Sequence, residues 1–161
     1  MSEILGSLFK YLLGLLAIVA VVLVLYEALS SNKVSTAAAD VTTMQSSIAQ
    51  LYGGFANTSS LSDTVVISAK AAPNSMVSGT TLLDPWAGAV TVQPDTNPGE
   101  FDILLAGIPQ SACNKLATAV SSYKSISING TADNGPVDPG TVATQCTTGG
   151  NNQIQFTFAA S

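Results

Sequence analysis

A stretch of 26 almost wholly apolar residues, 4–29, lies ahead of a hydroxyl-rich remainder. It constrains this chain more than anything else in it. At 1.5 Å per residue it makes a helix of roughly 39 Å, long enough to cross a bilayer. A removable signal peptide would need a basic start, a shorter apolar stretch and a small-residue cleavage site. Here the start is the acidic Met1-Ser2-Glu3, and no Ala-x-Ala site follows at once. The segment is therefore expected to stay in the mature protein. Lys10 interrupts it, after which residues 11–26 are uncharged and apolar but for Gly14. A lysine near the end of a membrane helix is expected to snorkel to the interface. Gly6 and Gly14 are the weak helix points, each costing up to about 1 kcal/mol relative to Ala.

The helix is not expected to stop at the membrane boundary. Residues 27–52 hold no Pro and no Gly. Val34, Ala37, Ala38, Val41, Met44, Ile48 and Leu51 recur at helical steps. Gly53-Gly54 then supplies a stop. The simplest reading is one helix from Ser2 to Tyr52, roughly 75 Å long by the same rise. Three segments follow from it: a hydrophobic transmembrane or filament-core helix over 1–29, its amphipathic continuation over 30–52, and a globular α+β head over 53–161. The amphipathic half should lay one face on the head.

Within the head, 61–72 reads as a short amphipathic helix capped by Ser60 or Ser62, although Val65, Val66 and Ile67 pull toward strand. Residues 84–88 read as a turn, 89–92 as a strand start, 93–99 as a hairpin loop and 100–108 as the returning strand. Pro109-Gln110-Ser111 opens a second helix, with Cys113, Leu116, Ala117 and Val120 on one face. Residues 125–128 suit a short strand, and the turn-rich 129–140 a surface loop. Ile154, Phe156 and Phe158 alternate along 153–159, the pattern of a half-buried strand ending an antiparallel sheet.

Several chemistries have little to work with. The net charge is −5, with no arginine and no basic cluster, so nucleic-acid binding by phosphate neutralisation is not expected. There is no histidine, which removes the usual general base and the commonest zinc ligand. Two cysteines cannot build a cysteine-rich metal site. No phosphate-binding glycine loop is present. Asp95, Glu100 and Asp102 are close in sequence but read as solvated acids. No catalytic, metal or cofactor site is expected. Charged residues make up only 9% of the chain; a hydroxyl-coated surface suits an extracellular protein, or one that packs against copies of itself. Trp86 and Tyr52 read as core residues rather than ligand sites.

Cys113 falls on a predicted helix and Cys146 just before the last strand. Two cysteines in an extracytoplasmic domain usually pair, two buried free thiols being the alternative. A bridge would close a loop of 33 positions (146 − 113), worth roughly 3–4 kcal/mol on the chain-entropy model. It would pin 125–145 between a helix and the sheet as a variable, exposed face.

Taken together, these features resemble the type IV pilins, and most closely the type IVb branch that includes the toxin-coregulated pilin and the thin-pilus pilins of conjugative plasmids. The resemblance rests on Tyr52 with the Gly53-Gly54 break, and on the Leu83-Asp84-Pro85-Trp86-Ala87-Gly88 turn into a strand. It rests also on Phe101 to Ile108 followed by Cys113-Asn114-Lys115-Leu116, and on Cys146-Thr147 with the last strand. It implies an α+β pilin fold: a long N-terminal helix on a small antiparallel sheet, with a disulfide-closed loop near the C-terminus. Two departures stand out. The family usually carries glutamate at the fifth mature position, where this chain has Leu5 and its nearest acid is Glu3. The family's helix-breaking proline is missing too, the first proline being Pro73.

The resemblance implies a structural subunit of an extracellular pilus, held in the inner membrane before assembly and serving attachment, cell contact or conjugation. Its expected partners are identical copies in a helical filament, the pilus assembly machinery, and a host or recipient-cell surface. A minor pilin, a pseudopilin or an anchored extracellular binding protein is the alternative. Lipid tails are as apolar as leucine, so packing, small residues and polar pairs must drive helix association. Gly6, Gly14, Ala17 and Ala20 offer close approach. Glu3 and Lys10, seven positions apart, share a helix face with an axial offset of roughly 10.5 Å. Lys10 of one subunit is expected to meet Glu3, or the chain terminus, of a shifted neighbour.

Overall fold

The long helix α1 spans Ser2–Tyr52, ending at the Gly53-Gly54 break that the sequence supplies. It belongs to a computed structural model that describes residues 1–147 and 149–161, with the backbone alone at Glu27. The chain divides into two compact units, Met1–Asn32 and Lys33–Ser161.

In the second unit, Val34, Ala37, Val41, Met44, Ile48 and Tyr52 of α1 are buried. Their steps of three and four place them on one stripe. They share a single core with Phe101, Ile103, Leu105, Ile154, Phe156 and Phe158. Leu51, expected on the same face, is exposed; Tyr52, four positions after Ile48, takes the inward place.

The sheet is built from β1 (Val77–Ser78), β2 (Thr81–Leu83), β3 (Ala89–Pro94), β4 (Glu100–Ile108), β5 (Ser125–Ile128), β6 (Thr131–Asn134) and β7 (Asn152–Ala159). Their order is β1-β2-β3-β4-β7-β5-β6, with every pairing antiparallel. The last strand thus inserts between β4 and β5. Register sets the core: Phe101 opposes Phe158, Ile103 opposes Phe156, and Leu105 opposes Ile154. On the other side of β7, Ile126 faces Phe156 and Ile128 faces Ile154. The period-two alternation read in the last strand turns one apolar row inward.

Among the described residues, three helices complete the unit: α2 (Asp63–Ser68), α3 (Gln110–Ala119) and α4 (Pro139–Gln145). α2 is shorter than the 61–72 expected. Ser62 caps its start by accepting from the Val65 N–H. Its end is set by Lys70 in a left-handed conformation, φ 54°, with the Ala71 N–H donating back to the Val66 carbonyl.

The structure departs from the sequence pattern at four further places. β1 and β2 pair as a hairpin where the sequence pattern shows no strand. β3 runs on to Pro94, which pairs with Phe101, so the hairpin loop starts later than expected. Residues 129–140 are not merely a surface loop. Asn129 and Gly130 both hold positive φ, 50° and 86°, which is the hairpin geometry of an Asn-Gly turn, and β6 returns beside β5. Asp138 then caps α4 by accepting from the Gly140 and Thr141 N–H groups, with Pro139 in the first turn. Finally, Asp102 is not a solvated acid. It is 3% exposed and accepts the Thr157 hydroxyl at 2.7 Å.

The 84–88 turn stands as expected and is tightly built. The Asp84 N–H donates to the Gly88 carbonyl, and the Ala87 N–H to that of Asp84. Gly88 presses on β4 so closely that an added Cβ would lie 1.7 Å from the Ala106 carbonyl oxygen. Trp86 packs, partly buried, against the core.

Candidate functional site

The apolar half of α1 forms the first unit, and its described side chains are exposed. Nineteen large hydrophobic side chains there are exposed, from Met1 to Leu29. Leaving a Val, Leu, Ile or Phe in water rather than burying it costs roughly 1.5–3 kcal/mol. The set as a whole represents on the order of tens of kcal/mol, which only lipid or other protein can recover. By length and composition the helix is able to cross a membrane.

The structure places all six residues singled out for the filament core on this unit. Glu3, Gly6, Lys10, Gly14, Ala17 and Ala20 follow one another at steps of three, four, four, three and three. At 3.6 residues per turn they fall within about one third of the helix circumference. Nothing approaches within 4 Å of a Cβ added at Gly6 or Gly14. Among the described residues the one ion pair is Lys124 with Glu100, so Glu3 and Lys10 pair with no described residue. The Ser7 hydroxyl donates to the Ile4 carbonyl at 3.2 Å and presents little unmet polarity on this helix. Together these positions make one face, narrow and small, carrying one charge of each sign.

In the second unit Cys113 and Cys146 are joined in a disulfide, with Cα atoms 6.0 Å apart. Both are buried. The bridge ties the start of α3 to the end of α4, and β5, β6 and α4 lie between its ends. Beside it sits Asn152, fully buried, a residue that sequence patterning passed over. Its amide donates to the carbonyls of Ile108, Thr147 and Gly149. Its oxygen accepts from the Thr147 N–H, the Thr147 hydroxyl and the Asn129 amide. Asn129 in turn accepts from the Gln153 N–H and donates to the Gln145 carbonyl. Two side chains thereby lock the hairpin, the α4 terminus and the entry to β7. The outer surface of this region, including Thr131, Thr141, Thr144 and Thr147, is exposed and rich in hydroxyls.

Asp84 is an acid of the second unit held in a partly desolvated turn. One carboxylate oxygen accepts from the Trp86 and Gly88 N–H groups at 2.9 and 2.8 Å. The other is buried with no partner. Burial pushes the carboxyl up, against the two N–H bonds and the Lys33 charge, which pull it down. The three acids close in sequence do not converge on a shared site. Asp102 takes Thr157 and Glu100 takes Lys124. Asp95 accepts from the Asn97 N–H within its own loop.

A family model described as PilS N terminal matches residues 31–159. Solved structures that resemble the chain include two pilins. TcpA, a type IV pilin from the El Tor biotype of Vibrio cholerae, matches with a TM-score of 0.59 at 14% identity, over 80% of this chain and 99% of that one. At that identity the likeness is one of fold. PilS, a type IVb pilin from Salmonella typhi, matches with a TM-score of 0.55 at 26% identity, over 78% of this chain and 95% of that one. No curated protein matches the chain in sequence.

Proposed function

This chain belongs to the PilS N-terminal family and is a type IVb pilin, and we propose that it is the major, repeating subunit of an extracellular filament. The observation that carries this is the uncovered apolar half of α1, a surface that a polymer of identical helices would bury. Before assembly that half sits in the inner membrane, and the assembly machinery moves it from lipid into the bundle. The transfer brings little hydrophobic gain, so close packing and polar matching must favour it. The face of Gly6, Gly14, Ala17 and Ala20 supplies the close approach. Lys10 of one copy meets Glu3 of a neighbour displaced by roughly 10.5 Å along the axis. An unmatched charge in a dry bundle is costly, so the pair selects one stagger among many.

In the filament the second unit is the coat, and its hydroxyl-rich, disulfide-pinned region is the surface offered to another cell. The role is structural, with no catalytic or cofactor chemistry. Electron microscopy of material sheared from the native cell surface tests it, using antibody raised to the Lys33–Ser161 unit. Label along the whole length of thin fibres is expected. Label at fibre tips alone would assign a minor pilin. Label on membrane fragments without fibres would assign an anchored binding protein.

A further inference from the structure

The second unit has buried nearly all its large apolar side chains, with two exceptions among the described residues: Leu51, 39% exposed, and Phe55, 69% exposed. Phe55 follows the end of α1, edge-on to Tyr52 at 6.1 Å between ring centroids. It stands on a cleft shared with Val65 and Ala69, at and beside α2. Lys70 lines the adjoining cleft, which Leu51 and Ala69 also border. Lys70 is exposed and makes no ion pair among the described residues.

Elsewhere on the same unit is an apolar pocket of about 340 Å³, whose walls include Val120, Tyr123, Pro136, Val137 and Pro139. The ring of Tyr123 lies 5.5 Å from that of Phe156, and its hydroxyl accepts from the Val137 N–H at 3.3 Å. The Asp138 carboxylate is exposed on its rim, between two residues that line it.

We propose that Phe55 of one copy inserts into the Tyr123–Val137 pocket of a second copy, with Lys70 of the first facing Asp138 of the second. The sheet makes this a contact between chains. α2 packs on β2 and β3, whereas the pocket is made by the end of α3 and the segments flanking β5 and β6. Those strand pairs lie on opposite sides of the central β4 and β7. A projecting ring and its socket on opposite flanks of one domain cannot meet within a chain. Between chains they form a heterologous contact, which leaves a free ring at one end and a free socket at the other, and so propagates. The opposite charges on the two rims fix which way the ring enters. A second aromatic ring entering beside Tyr123 would extend its pair with Phe156 in the offset or edge-on geometry that such rings favour.

This inference rests on the filament reading, and the test separates the two. Two differently tagged full-length chains are co-expressed, one carrying Gly54→Cys, next to Phe55 and with open space for a side chain, and the other Val137→Cys. Sheared filaments are then treated with a short bis-maleimide. The expected product is a dimer carrying both tags, absent when Ser78→Cys replaces Val137→Cys. In parallel, Phe55→Ser should cut the yield of sheared filament about tenfold or more, as loss of an anchoring side chain does. Phe55→Leu should largely restore it. Filaments that give no mixed dimer, or a Phe55→Ser chain that assembles at the wild-type level, would overturn the contact while leaving the filament standing. A wild-type chain that makes no filament would overturn both.

Discussion

The Asp84 carboxyl satisfies two backbone N–H groups through one oxygen and buries the other without a partner. Its native form therefore holds a proton more tightly than the unfolded chain, whose carboxyl titrates near the ordinary value of about 3.9. Between that value and the raised native one, the folded state binds more protons, so stability falls as pH rises through the window and recovers as pH falls. Asp84→Asn keeps an oxygen for the Trp86 and Gly88 N–H groups and removes the titration. Urea unfolding of the full chain in detergent, followed by Trp86 fluorescence from pH 3 to 7, should show the wild type losing stability relative to Asp84→Asn as pH increases. Parallel curves would show that this carboxyl is not perturbed. In the same turn Ala87 carries a left-handed φ of 64°, which favours glycine. Ala87→Gly should stabilise by about 1 kcal/mol. Gly88→Ala, facing the Ala106 carbonyl, should prevent the turn from closing and show as lost protease resistance.

Among the elements, the disulfide-closed region holds the clearest energetic prediction. Replacing Cys113 and Cys146 together by Ala frees 33 positions of chain and should cost about 3–4 kcal/mol. The loss would appear as a lower urea midpoint and as new proteolytic cuts across β5, β6 and α4. The Asn152 and Asn129 bonds remain in that variant, so the region should loosen rather than detach. A midpoint unchanged from wild type would mean that those bonds alone hold it. This region also shows what sequence could and could not convey. The α1 stripe from Val34 to Ile48 was legible because helical spacing repeats four times, and β7 because three apolar residues alternate. Strands of two and three residues, such as β1 and β2, hold too little alternation to read. The signals for β6 and α4 were present as Asn129-Gly130 and Asp138-Pro139. Turn-forming residues were dense enough around them to read as a loop. The common helix face of Glu3, Gly6, Lys10, Gly14, Ala17 and Ala20 was legible from spacing alone. Phe55 was not, because an aromatic residue after a helix stop looks like core until its exposure is known.

For the whole molecule the decisive question is register. The apolar half of α1 offers a nearly uniform greasy surface, and such a surface permits neighbouring helices to slide past one another with little change in packing. Two charges on one face change that. In any stagger but one, Lys10 and Glu3 would each face hydrocarbon, a cost that neither lipid nor leucine can offset. On the proposed pairing the two charges would act more on geometry than on affinity, penalising the wrong staggers instead of deepening the right one. A charge reversal separates that role from a merely interfacial one. Glu3→Lys alone and Lys10→Glu alone each place like charges together in the productive stagger, and each should reduce sheared filament by tenfold or more, about 1.4 kcal/mol per subunit contact. The double variant restores opposite charges at the same offset and should recover assembly, with membrane levels of all three chains held equal by quantitative blotting. If the double variant assembles no better than the singles, Glu3 and Lys10 do not meet across subunits. Lys10 is then an interfacial anchor, and the small-residue face alone sets the packing.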